Sequence, residues 1–313
     1  MTSMSKMFYK STSLTNIDAS GFDTSKVVNM NGMFTGCTNL KTLDVSNFKT
    51  SKVTDMNNMF EDCSSLTTLD LSNFDTSNVL YMGNPYNYSY GGMFRNCSSL
   101  VSLNISSFNT SKVKLMSNMF HGCSSLVTLD LSNFDTSNVT AMASMFNSCT
   151  NLKNLNLSSF NTSKVTDMDS MFLNCKSLAD LNLSGFNTNK VTGMYALFFG
   201  CTNLIELDIS NFTTSNVTNL ALMFGNCRSL KELDLSNFNT TNVTNMNRMF
   251  EHCHNLKTIY VSDLWNMSSV TASSNMFMNC KSLTGAVPFD STKTDVSMAN
   301  YTTGYLTYKK NTN

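Results

Sequence analysis

The chain has almost no proline: two residues in 313, Pro85 and Pro288. It has one tryptophan and three histidines. Charge is scarce as well, at 13% of residues, against roughly 25% in typical soluble proteins. Each scarcity excludes something. The 21 basic and 21 acidic residues cancel and form no block or stripe, so the electrostatic footprint of a nucleic-acid or anionic-membrane binder is missing. No run of about 18 apolar residues occurs, so no membrane insertion is expected. No charged start followed by an apolar core is present, so no signal peptide is legible. G-x-S-x-G, a phosphate loop and H-E-x-x-H are absent from the sequence. His252 and His254 flank Cys253, which is not a zinc spacing. The expectation is a protein that is not an enzyme and that takes no metal and no cofactor.

What the chain does have is repetition. LDLSNFDTSNV at 69–79 returns letter for letter at 129–139, and a near copy, LDLSNFNTTNV, stands at 233–243. The ten cysteines mark the period. Seven of their nine gaps are 26 residues; the exceptions are 34 between Cys63 and Cys97 and 27 between Cys253 and Cys280. Of the 22 phenylalanines, 20 fall in two columns of this frame, one just before the cysteine position and one after the L-x-L-S stretch. A fixed period of this size marks a solenoid, in which each coil covers the apolar face that its neighbour cannot bury alone.

Each coil has two parts. L-x-x-L-x-L, as at Leu66, Leu69 and Leu71, alternates and predicts a short strand with one face inward. M-x-x-M-F-x-x-C-x-x-L has apolar residues at steps of three and four, which predicts one or two turns of α- or 3₁₀-helix. The [DN]-T-S before it is Asx-turn or N-cap chemistry. About eleven such coils, stacked at roughly 4.8 Å, would place parallel strands along one side and short helical turns along the other.

The pattern resembles the leucine-rich repeats and, more closely, the 26-residue BspA-like surface-protein repeats. The residues that carry the likeness are the L-x-x-L-D-L-S-x-F core at 66–74, 126–134 and 230–238, and M-F-x-x-C at 119–123 and 249–253. The resemblance implies a right-handed leucine-rich-repeat solenoid, with its parallel sheet on the concave side. It also implies an extracellular, cell-surface adhesin that binds a host matrix or cell-surface protein, another microbe, or a glycan. A passive spacer that projects another domain from the surface is the alternative.

Four features are candidates for function. The first is the polar column between the inward residues of the strand, containing Asp44, Asp70, Asp130, Asp208 and Asp234. One reading is a polar groove for a glycan, a basic peptide or a cation; the other is an Asp/Asn–Ser ladder that blunts an exposed sheet. Like charges one coil apart should raise each other's pKa. The second is an insert, GNPYNYSYGG, between Met82 and Met93, with eight residues more than a normal coil. It carries Tyr86, Tyr88 and Tyr90, with Tyr81 just before it, and tyrosine with Ser, Asn and Gly is the composition of binding loops. A tolerated surface insertion is the other reading. The third is the cysteine column, expected as buried thiols rather than disulfides, because side chains in a column run parallel. The fourth is the Thr-Ser column at 76–77, 136–137 and 162–163, which would suit an ice- or mineral-binding face if exposed and flat.

The ends break the frame. Met4, Met7 and Phe8 begin in mid-coil, with Ser11 at the cysteine position. That suggests an excised fragment whose first coil could pair end to end with another chain. The regular coils are expected over 1–283, with the insert at 83–90. Residues 284–313 are expected to form a C-terminal cap or a lead into a further module.

Overall fold

The computed structural model describes residues 1–84 and 91–311, in two units, Met1–Phe160 and Asn161–Asn313. Each unit is a stack of leucine-rich-repeat coils. In the first unit, β1 (Thr68–Asp70) pairs in parallel with β2 (Ser102–Asn104), and β3 (Thr128–Asp130) with β4 (Asn154–Asn156). In the second, β5 (Glu232–Asp234), β6 (Thr258–Val261) and β7 (Thr307–Tyr308) form one parallel sheet. Strands are only two to four residues long, because the alternation lasts that long before the next turn. A second parallel ladder runs along another side of the coils. It joins Ser3, Asn29, Asp55, Tyr81, Leu115 and Ala141 in the first unit, and Asp167, Gly193, Asn219, Asn245 and Ala272 in the second.

The cysteine-side segment corrects the sequence expectation. It is not helical: among the described residues the one helical element is a 3₁₀ turn at Val296–Met298. The step-of-three-and-four pattern instead builds consecutive turns. Met33, Thr35 and Cys37 donate back three residues, to Met30, Gly32 and Phe34. The residues between them donate forward to the next coil: Met30 to Asp55, Gly32 to Asn57, Phe34 to Met59 and Gly36 to Glu61, at 2.8–3.0 Å. A helix would keep all these N–H groups inside its own coil; stacking requires every second one for the neighbour. The alternation needs a left-handed residue twice per coil, four positions apart. Gly32 and Gly36 supply it at φ 62° and 76°, Asn58 and Asp62 at 61° and 60°. Glycine, Asn and Asp tolerate that region best.

Apolar columns fill the interior. Phe34, Phe60, Phe94, Phe120 and Phe146 are fully buried, with successive rings 5.6–5.8 Å apart and nearly parallel. All ten cysteines are free and buried. They are more than small apolar fillers: the Cys63 thiol donates to the Phe34 carbonyl at 3.3 Å, Cys123 to Phe94 at 3.1 Å and Cys253 to Phe224 at 3.0 Å. Burial pushes the thiols of Cys149, Cys201 and Cys253 up to about 12, so the reactive thiolate is suppressed.

The uncharged polar residues join coil to coil. Thr24, Thr50, Thr76, Thr162 and Thr188 are buried. The Thr76 hydroxyl donates to the Asn109 carbonyl at 2.9 Å and accepts from the Asn109 N–H at 2.8 Å. Asn73 donates its amide to three carbonyls of the preceding coil, those of Val45, Ser46 and Phe48. A coil that is mostly turn leaves many backbone groups unpaired within itself, and each costs free energy if buried without a partner. Short side chains that both donate and accept satisfy them, which explains why Ser, Thr and Asn stand where charge is scarce. It also removes the ice- or mineral-face reading, since Thr76, Thr136 and Thr162 have no exposure at all.

Residues 284–311 fold against the last coil. Tyr305 is fully buried and meets Phe277 edge to face at 5.4 Å, ending the phenylalanine column with a crosswise ring. The Trp265 indole donates to the Ala299 carbonyl at 3.1 Å. Among the described residues no helix is long and apolar enough to cross a membrane.

Candidate functional site

The strand face and the second ladder divide the sequence candidates between two sides of the coil. Asp44 and Asp70 line a groove of about 420 Å³ together with Thr42, Thr68, Ser46 and Ser72. Asp130 stands on the same kind of face, opposite Asn156, as Asp70 stands opposite Asn104. Asp208 and Asp234 line a groove of about 550 Å³ in the second unit. Tyr81 is partly exposed on the other ladder, between Asp55 and Leu115. Tyr86, Tyr88 and Tyr90 lie outside the described residues.

The neck of the insert is described. Gly83 and Gly92 form an antiparallel bridge, and Met93 donates to the Met82 carbonyl at 2.9 Å. A Cβ on Gly83 would lie 2.2 Å from the Ser117 carbonyl oxygen, and one on Gly92 2.2 Å from that of Asn118. Both positions therefore require glycine for the coils to close. The neck residues Gly83 and Gly92 belong to the cysteine-side segment and not to the strand that carries the aspartate column.

Each strand aspartate caps its own turn. The Ser46, Ser72, Ser132, Ser210 and Ser236 N–H groups donate to Asp44, Asp70, Asp130, Asp208 and Asp234 at 2.9–3.0 Å. These serine hydrogen bonds hold the carboxyls of Asp44, Asp70, Asp130 and Asp208 below their ordinary range. The expected mutual raising is present only as a minor opposing effect, of Asp18 on Asp44 and of Asp234 on Asp208. Asparagines interrupt the column at 104, 156 and 182, which separates its charges. At Asp234 burial pushes the carboxyl up, but hydrogen bonds from Lys309 and Ser236 outweigh it and the pKa is lowered.

The groove at Asp208 and Asp234 contains more than the aspartates. Glu206 and Glu232 precede the inward leucines, and Tyr260 takes the aspartate position on β6. Lys309, from the C-terminal segment, pairs with Asp234 and lies 5.4 Å from the Tyr260 ring centre. A signal existed: Asp180, Glu206 and Glu232 recur at the repeat period of 26. Lys309 had none, since it lies outside the repeat. Among the described residues no group of three or more His, Cys, Asp or Glu is placed to hold a metal.

Two titratable groups outside this face respond to pH in opposite senses. His121 is pushed down to about 4 by burial and by Arg95, so it is neutral when folded. The unfolded chain takes up that proton near 6.5, so His121 costs the first unit stability as pH falls from about 6.5 toward 4. Asp169 is pushed up to about 6 by burial and by Asp167, against 3.8 unfolded. Its charge therefore disfavours the second unit above about pH 6, a penalty that fades as pH falls toward 3.8. Asp169→Asn, which keeps the acceptor for the Tyr195 N–H, is expected to stabilise by about 1–2 kcal/mol at pH 7.5 after allowance for solvent screening. At pH 3.5 the gain should be absent. Urea denaturation at both pH values checks this; an equal gain at pH 3.5 would exclude charge as the cause.

The 26-residue coils, the parallel ladders and the internal phenylalanine and cysteine columns define a BspA-like leucine-rich-repeat protein. The chain belongs to the family described as "Mycoplasma protein of unknown function, DUF285", whose model matches residues 2–90, 88–204 and 177–288. No curated protein matches it. Among solved structures it is similar to a leucine-rich cell-surface protein of Faecalibacterium prausnitzii, with 17% identity, a TM-score of 0.42, and coverage of 90% of this chain and 74% of that one. A leucine-rich-repeat protein of Eubacterium ventriosum is similar at 15% identity and a TM-score of 0.37, covering 90% and 81%. A third, a leucine-rich-repeat protein of Leptospira interrogans, is 18% identical with a TM-score of 0.32, covering 82% of this chain and 62% of that one.

Proposed function

We propose that the chain is a non-enzymatic interaction module of a cell-surface adhesin, with the strand face as its binding surface and the tyrosine insert as a second contact. The partner class is a host or microbial protein, or a glycan. Residues 284–313 act as the cap of the coil stack. One observation carries this reading. Threonine and asparagine side chains such as Thr76 and Asn73 are engaged in joining coils. On the strand face Asp44, Asp130 and Asp208 have, among the described residues, no hydrogen-bond partner beyond the serine of their own turn. Their outer oxygens are open to a ligand.

The test is saturable binding of the full chain to a panel of matrix proteins and glycans. The comparison is a chain lacking 85–90 and one carrying Asp44→Asn, Asp70→Asn and Asp130→Asn. Loss of at least about tenfold in affinity, roughly 1.4 kcal/mol, in either variant supports the module. A panel that binds neither the parent nor the variants favours the spacer.

A further inference from the structure

We propose that the strand face of the second unit is a docking surface for an extended, lysine-bearing segment of a partner protein, seated across Asp180, Glu206, Asp208, Glu232 and Asp234. This rests on the interaction-module reading and names the partner chemistry for one of its two strand faces.

The acidic residues form two columns. Asp180, Glu206 and Glu232 precede the inward leucines, and Asp208 and Asp234 follow them. All are exposed except Asp234, which is half-buried. The groove of about 550 Å³ is continued by another of about 300 Å³, since Glu206 and Asp208 line both. The first unit lacks this doubling: Thr42, Thr68, Ser102, Thr128 and Asn154 stand where the second unit has its extra carboxylates. Charge complementarity to a cationic chain is therefore a property of one unit and not of the repeat.

Carboxylates alone would be a solvated face. Lys309 makes them a site, because the chain itself already seats a lysine there. Lys309 comes from outside the repeat, on the extended segment of β7, and its backbone N–H donates to the Val261 carbonyl at 2.8 Å. Its ammonium reaches Asp234 and lies against the Tyr260 ring. An ammonium on a carboxylate and against an aromatic ring is how a basic segment laid across the strands would be held. Of the five carboxylates only Asp234 has an ion-pair partner among the described residues. Four are left to receive further ammonium groups, and an extended chain presents one on the same side at every second residue. Lys231 and Lys257 stand in the adjoining outer column and line the same groove. They bound the acidic strip on one side, so a cationic chain is confined to the aspartate side. Ile205, 43% exposed, gives the strip an apolar contact for lysine methylenes.

The experiment uses the full chain and a fluorescent eight-residue peptide of alternating lysine and threonine, with a glutamate–threonine peptide beside it. Anisotropy should show saturable binding of the lysine peptide alone. The triple variant Glu206→Gln, Asp208→Asn, Glu232→Gln should weaken it at least about tenfold, and Asp44→Asn, Asp70→Asn, Asp130→Asn by less than about twofold. Lys309→Ala, which frees Asp234 and Tyr260, should tighten it by about threefold. Circular dichroism confirms that each variant is folded. Absence of saturable binding, equal weakening by the two triple variants, or no tightening by Lys309→Ala would overturn the proposal. Panel binding that survives the second-unit triple variant would leave the interaction module standing and remove this site from it.

Discussion

Phe120→Ala is expected to cost about 3–5 kcal/mol of stability, the largest effect of any single side chain considered. Phe120 is fully buried, and its ring stacks on Phe94 at 5.6 Å and on Phe146 at 5.8 Å. Truncation removes the transfer free energy of the ring and opens a cavity inside a column. The walls of that cavity are held by inter-coil hydrogen bonds, such as Phe120 to Met145 at 3.0 Å, so they cannot readily collapse. Because coils contact only their neighbours, the lesion should loosen the stack on both sides of residue 120 more than the distant coils. Hydrogen exchange should show the loss of protection centred on residues 94–146. A uniform loss along the first unit would mean that its coils unfold as one, against the nearest-neighbour picture.

Thr188→Val is expected to cost about 2–4 kcal/mol, although it conserves shape and β-branching. The Thr188 hydroxyl donates to the Thr213 carbonyl at 3.0 Å and accepts from the Thr213 N–H at 2.7 Å. Valine would leave both backbone groups facing a methyl at a buried position. An unsatisfied buried donor or acceptor costs about 1–3 kcal/mol. Thr188→Ser keeps the hydroxyl and loses only a methyl, so it should cost about 1 kcal/mol. Urea denaturation of the two variants separates the causes. If serine is as damaging as valine, packing and not hydrogen bonding holds that column.

The period, the strand positions and the internal columns were legible because all three are statements about apolar spacing. Leu66, Leu69 and Leu71 alternate, Cys63 and Phe60 recur in step, and the buried residues lie in those columns. The turn side was misread for a physical reason. Met56, Met59, Phe60 and Cys63 have the spacing of a helix, but spacing reports only which residues share a buried face. It does not say where the N–H groups between them go. Asn58 and Asp62, left-handed at φ 61° and 60°, carry the missing information in a residue type that is common everywhere in this chain. The aspartate column was legible as a column, and Lys309 was not, since its place beside Asp234 depends on a segment outside the repeat folding back over β6.

By itself the sequence determined the coil, its length of 26 residues and its inward faces, because repetition multiplies a weak local pattern until it is unambiguous. Only the tertiary structure decided which polar residues bind the protein to itself and which face outward. Thr76 and Asp70 look alike as polar members of regular columns, yet one is fully buried between coils and the other lines a groove. That difference is set by the path of the neighbouring coil's backbone. A hydroxyl that meets an unpaired N–H and C=O is drawn in, and a carboxylate on the strand face, with no such pair before it, is left toward solvent.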